Sequence, residues 1–152
     1  MIKRLIIFLT LNFGALALGG LFTSTGVSSE WYITLNKAPW TPPGWVFGAA
    51  WTSIMICYSV YLSILWAKVS NHKKLLALFI TQLVLNISWN PLFFSLQLVS
   101  IAMIAIALLT IVVGYFLFYY RLKLQWESAL LLPYFLWLLI ASSLNGYILL
   151  NN

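Results

Sequence analysis

The feature that most constrains this chain is where its charges are not. Five stretches, Leu5 to Phe22, Trp45 to Trp66, Leu75 to Leu96, Val99 to Tyr120 and Ala129 to Leu150, run with no Asp, Glu, Lys or Arg. About 20 apolar residues wound as helix cross roughly 30 Å of hydrocarbon, and in lipid every backbone polar group must be bonded within its own segment. Five such runs occupy most of the 152 residues and leave no room for a separate soluble domain. With 63% hydrophobic and only 7% charged residues, a solvated surface cannot be clothed, since an ordinary globular protein carries about 25% charge. The expected fold is therefore an all-α membrane protein, a five-transmembrane-helix bundle forming one domain over residues 1–152.

Basic residues then orient it. Lys3, Arg4, Lys68, Lys73, Lys74, Arg121 and Lys123 all fall at one end of a five-span chain, and only Lys37 lies at the other. The positive-inside rule places the N-terminus in the cytoplasm and the first loop outside, in a multi-pass protein of the cell membrane. Lys3 and Arg4 ahead of an apolar stretch, with Ala15, Ala17, Gly19 and Gly20 behind it, also fit a signal peptide. The stretch approaches full spanning length, so a retained first span is the expectation.

Conventional chemistry falls away quickly. A lone Cys57 allows no internal disulfide, a lone His72 in a basic connection builds no metal or bis-His haem centre, and Glu30 and Glu127 are too few for paired-carboxylate work. No metal site is expected. No nucleic-acid partner is expected either, because the basic residues sit at the ends of apolar runs rather than in one patch.

What remains is an excess of aromatics, 17% of the chain with eight Trp, and a few polar residues within the spans. In the third span Gln82, Asn86, Trp89 or Asn90, and Phe93 recur at three- and four-residue steps, which puts them on one helical face. Polar groups in hydrocarbon are expensive unless partnered, so that face points inward, either to hydrogen-bond a neighbouring helix or to meet a ligand. Tyr134, Trp137, Ala141, Leu144 or Asn145, and Ile148 form a similar face in the fifth span, and Phe47, Trp51, Met55, Tyr58 and Leu62 a weaker one in the second. If the three converge, they enclose either a tightly packed core or an apolar cavity suited to a flat, apolar ligand. Pro91 and Pro133 each kink a helix or mark its first turn. The first loop, 27–44, contains WYITLNKAPWTPPGW between Trp31 and Trp45. Three prolines and three tryptophans there read as a structured lid, or as an aromatic belt at headgroup level. No small-residue spacing marks a helix-dimer seam.

Three motifs in order resemble those of the tryptophan-rich sensory protein and translocator protein (TspO/MBR, peripheral-type benzodiazepine receptor) family, bacterial branch. The first loop carries Trp31-Tyr32-x-x-Leu35-x-Lys37-x-Pro39-Trp40-x-Pro42-Pro43, with Trp51 following in the second span. The third span carries Gln82-Leu83-x-Leu85-Asn86-x-x-Trp89-x-Pro91-Leu92-Phe93-Phe94, and the last Pro133-Tyr134-x-x-Trp137-x-x-x-Ala141-x-x-Leu144-Asn145. The resemblance implies a bundle that is frequently dimeric in bacterial members, with a pocket under the first loop for porphyrins, sterols or isoquinoline-type drugs. It implies a lid of Trp31, Lys37, Pro39, Trp40, Pro42 and Pro43. It implies ligand-binding positions at Phe47, Gly48, Trp51, Gln82, Asn86, Trp89, Trp137, Ala141, Leu144 and Asn145. Trp51 and Trp137 match tryptophans implicated in light-dependent porphyrin breakdown, a catalytic role only where that photochemistry occurs.

Several residues depart from the pattern. Met55 stands where many relatives place a tyrosine, and Ala38 precedes Pro39 where lysine is common. The proposed cholesterol motif needs a basic residue after Tyr147, and none follows, so sterol recognition through it is not expected. No cofactor is required; porphyrin enters as ligand or substrate. The expected function is a receptor or sensor-like protein for protoporphyrin, with haem less well served because no span offers a histidine ligand. A light-dependent porphyrin-degrading enzyme and a facilitative tetrapyrrole or lipophile transporter are the alternatives. Without a charge near any span centre, ion-coupled transport is disfavoured.

Overall fold

The computed structural model describes residues 1–152, and the chain is helical throughout with no strand. The elements are α1 (Ile2–Gly26), α2 (Glu30–Thr34), α3 (Gly44–Lys68), α4 (His72–Asn90), a π-helical turn (Pro91–Ser95), α5 (Val99–Tyr119), α6 (Arg121–Leu124), a 3-10 segment (Gln125–Leu131) and α7 (Leu132–Asn151). Five helices are long and apolar enough to cross a membrane, as the charge-free runs require. The helices overrun the runs at several ends, because basic side chains are tolerated where a span leaves the hydrocarbon.

Local sequence explains the breaks. Asn71 caps α4 by accepting from the Lys74 backbone N–H at 2.9 Å, and Ser29 caps α2 by accepting from that of Tyr32 at 3.2 Å. Pro91 has no N–H to continue α4, and the chain widens into a π turn closed by Leu96 N–H donating to Pro91 C=O at 2.9 Å. Only three residues then reverse the chain into α5, and Gln97 takes a left-handed φ of 56° to do it. Gln125, with φ 53°, separates α6 from the 3-10 segment in the same way. Pro133 sits in the first turn of α7, where its missing donor costs nothing, so it begins a helix rather than kinking one.

The five long helices close into a ring in the order α1, α3, α7, α5, α4, with α4 packing back on α1. Tyr58, Tyr61, Phe116 and Tyr134 are fully buried at the centre. Two glycines let α1 approach α4 and the π turn closely: a Cβ on Gly19 would lie 2.6 Å from Asn90 Nδ2, and one on Gly26 would overlap the Phe94 ring. Polar bonds stitch α1 to both neighbours, with Asn12 Nδ2 donating to Ser59 Oγ of α3 at 2.9 Å and Thr23 Oγ1 to Asn90 Oδ1 of α4 at 2.7 Å. Ile7, Leu18, Leu21, Ile104 and Ile111 face outward, as suits a bundle whose solvent is lipid.

Candidate functional site

A small enclosed cavity opens where α3, α4, α5 and α7 converge. Its wall is built from Phe47 and Trp51 of α3, Asn86, Trp89 and Asn90 of α4, Ile106 and Leu109 of α5, and Trp137, Leu138 and Ala141 of α7. The three faces read from the sequence therefore do meet. No charged side chain reaches the cavity.

The rings hold one another edge to face. Phe47 lies 5.3 Å from Trp137 at 80°, and Trp51 lies 5.8 Å from Tyr134 at 73°. Such tilted pairs add about 0.5–1.5 kcal/mol beyond area burial. Trp89 stacks on Phe93 at 5.1 Å and donates its indole N–H to Asn145 Oδ1 at 3.1 Å. Trp51 and Trp137 are held by ring contacts, and neither indole N–H makes a hydrogen bond within the protein.

Below the cavity, Tyr134 gathers the amides. Its phenol oxygen accepts from Gln82 Nε2 at 2.7 Å and from Asn86 Nδ2 at 2.8 Å. Asn90 donates to Asn86 C=O at 3.3 Å and accepts from Thr23, tying the cavity wall to α1. The polar stripe of the third span thus divides: Asn86 both partners Tyr134 and lines the cavity, whereas Gln82 is buried behind that phenol.

Four of the ten expected binding positions do not reach the cavity wall. Gln82 is drawn away by Tyr134. Gly48 is exposed on the outer side of α3, with open space where a Cβ would stand, because the helical step from Phe47 turns it outward. Asn145 is spent positioning Trp89 and donating to Val99 C=O at 3.1 Å, and Leu144 is buried elsewhere on α7. Phe47, Trp51, Asn86, Trp89, Trp137 and Ala141 do line it. Sequence reasoning missed Ile106, Leu109 and Leu138, and selected Trp89 where Asn90 also contributes. In α5 nearly every residue is apolar, so no polar stripe marks its inner face.

The first loop is ordered and packed on the ends of α4 and α7. Trp31 packs edge-on against Phe93 at 5.5 Å, and Tyr32 against Phe94 at 5.5 Å, seating α2 on the π turn. Burial pushes the Tyr32 phenol above its ordinary value. Lys37 lies 4.6 Å over the Tyr32 ring and donates to Ile33 C=O at 3.3 Å, which aims its charge at the loop itself. Trp40 donates to Ser143 Oγ at 3.1 Å and meets the Tyr147 ring at 5.4 Å. The backbone of Asn36 exchanges two bonds with the Asn152 side chain, at 2.8 and 3.2 Å. Pro39 and Pro43 are exposed and Pro42 half-buried, and Pro43 supplies the turn into α3. Trp45 is 75% exposed and belongs to the lipid-facing surface rather than to the cover.

A ring of five spanning helices around a small aromatic cavity, with a Trp- and Pro-rich loop packed at one end, defines a multi-pass membrane bundle. The chain belongs to the TspO/MBR family, whose pattern it matches over residues 6–150. It is 40% identical to the "Tryptophan-rich protein TspO" of Archaeoglobus fulgidus over 140 residues, 88% of this chain and 87% of that one. Similarity extends to the "Tryptophan-rich sensory protein" of Cereibacter sphaeroides, 32% identical over 76% of this chain and 73% of the relative. The "Translocator protein" of Homo sapiens is 27% identical over 79% and 73%. The chain is thereby a membrane protein of this family, and the family expected from the three motifs is the family found.

Proposed function

We propose that the protein binds porphyrins, protoporphyrin foremost, between α3, α4, α5 and α7 beneath the first loop, and acts as a receptor or sensor for them. The observation that supports this reading is the convergence of Phe47, Trp51, Trp89 and Trp137 on one cavity whose polar groups are indoles and amides. Those groups suit a flat ring with few polar points, and offer no strong axial ligand to iron.

The cavity encloses about 40 Å³, where a drug-sized ligand needs about 300–1,000 Å³. Porphyrin binding therefore requires the pocket to widen, by movement of the loop and of the aromatic rings packed around the cavity. A dark titration of purified protein with protoporphyrin, read by Trp quenching, tests the reading. Wild type saturates at low ligand, and Trp51→Phe binds several-fold more weakly. Absence of saturable quenching in wild type overturns the assignment.

Light-dependent degradation is favoured as a second reading by one observation: Trp51 and Trp137 approach the same cavity from neighbouring helices. An indole there donates an electron or a hydrogen atom to the excited porphyrin or to an oxygen species formed by it, so that the indole is oxidised as its acceptor is reduced, and dioxygen is the co-reactant for ring breakdown. Illumination with protoporphyrin then yields a new absorbance spectrum in wild type. It is lost in Trp51→Phe and Trp137→Phe while dark binding persists; equal turnover in all three removes the mechanism.

A further inference from the structure

At the basic end of the bundle, far along the chain from the cavity residues of α4, one cation is held unusually firmly for an exposed side chain. Lys74 Nζ donates to Tyr115 Oη at 2.6 Å and stands 4.2 Å over the centroid of Tyr119. The two tyrosine rings are stacked at 4.7 Å and 15°. Tyr119 meets Tyr120 at 4.9 Å and 89°, and Tyr120 is buried against Phe116 of the core. Through Tyr120 the cradle is anchored to the bundle interior, so the ammonium is placed by the fold and does not sweep solvent like an ordinary surface lysine.

This cation has no carboxylate. The chain's acids are Glu30 and Glu127; Glu30 lies at the opposite end, and Glu127 is taken by Lys68 at 2.8 Å. Lys73, Arg121 and Lys123 add further positive charge at the same end. Because Lys74 is the donor to Tyr115, that phenol keeps its own O–H proton, and the ammonium keeps two more N–H bonds to give. An ammonium with two phenols beside it presents several donors and no anionic acceptor, the complement of a phosphodiester.

The surface next to the cradle tells where that phosphodiester comes from. Counting back from Tyr115 in steps of four, three and four along α5, Ile111, Leu108 and Ile104 share its face and are 66%, 46% and 59% exposed. A headgroup on Lys74 thus has an apolar track for its acyl chain running into the hydrocarbon. We propose that Lys74, Tyr115 and Tyr119 form a binding site for the phosphate of an anionic phospholipid, with the chain lying along this face of α5. The proposal is independent of what the central cavity binds.

Native mass spectrometry of protein equilibrated with equal amounts of phosphatidylglycerol and phosphatidylcholine tests it. Wild type retains phosphatidylglycerol several-fold over phosphatidylcholine, and Lys74→Arg keeps that preference. Lys74→Gln falls to near parity, Tyr115→Phe/Tyr119→Phe loses much of the preference with its charge intact, and Lys123→Gln, the same charge change nearby, behaves as wild type. Thermal unfolding in detergent shows which variants are folded, and only those are compared. The site is overturned if Lys74→Gln retains the wild-type ratio, or if Lys123→Gln loses it equally, which would reveal only diffuse surface charge. Displacement of the lipid by millimolar inorganic phosphate would instead assign the cradle to a free anion and overturn the lipid proposal.

Discussion

Tyr134 shows how much one hydroxyl can organise in a bundle without charges. It accepts from Gln82 and Asn86 at once, and its ring lies 5.8 Å from Trp51 and 5.4 Å from Tyr58. Replacing it with Phe leaves two buried amide donors without an acceptor, and each orphaned group costs about 1–3 kcal/mol. Tyr134→Phe should therefore lower the thermal unfolding midpoint in detergent markedly, and should free Asn86 to move into the cavity. An unchanged midpoint would mean that the amides find other partners. The residue scale is also where the sequence was most informative: Gln82, Asn86 and Trp89 stood out because polar and indole groups are rare and costly in hydrocarbon. Which of them faces a ligand was not legible, since helical steps give a face but not the partner across from it.

At the scale of elements, the first loop and the end of α7 behave as a catch and its plate. Trp40 to Ser143 and Asn36 to Asn152 join segments more than a hundred residues apart, and neither bond is encoded by local spacing. Each hydrogen bond contributes about 0.5–1.5 kcal/mol net, and about 1.4 kcal/mol corresponds to tenfold in a rate or population. If the pocket fills only when the loop lifts, Ser143→Ala/Asn152→Ala, which removes three such bonds, should speed porphyrin association and dissociation together by roughly tenfold or more, with a smaller change in affinity. Stopped-flow Trp quenching measures both rates; rates equal to wild type would place the gate elsewhere. The π turn at Pro91 belongs to this scale too. A proline in the third span announced an irregularity, but only the packing of Trp31 and Tyr32 on Phe93 and Phe94 shows that the widened turn seats the cover.

At the scale of the whole molecule, the ring order of the helices places the basic ends together and the covered cavity at the other end. Charge bias predicts that the basic end faces the cytoplasm. In a Cys57→Ala background, a membrane-impermeant maleimide on intact cells should label Ser28→Cys, beside the cover, and should label Ser70→Cys, between α3 and α4, only after lysis. The reverse pattern would invert the topology.

By itself, the sequence determined that the chain lives in lipid, that it crosses five times, which end is basic, and which family it joins. Those properties follow from hydrocarbon length, the cost of charge and motifs that are local in the chain. Only the tertiary structure decided that α3, α4, α5 and α7 enclose the cavity, that Gln82 and Asn145 support it from behind, and that Ile106 and Leu109 complete its wall. The physical reason is that lipid and protein interior are equally apolar. In a uniformly hydrophobic helix such as α5, hydropathy cannot tell an inner face from an outer one, and only the closeness of packing against neighbouring helices makes that choice.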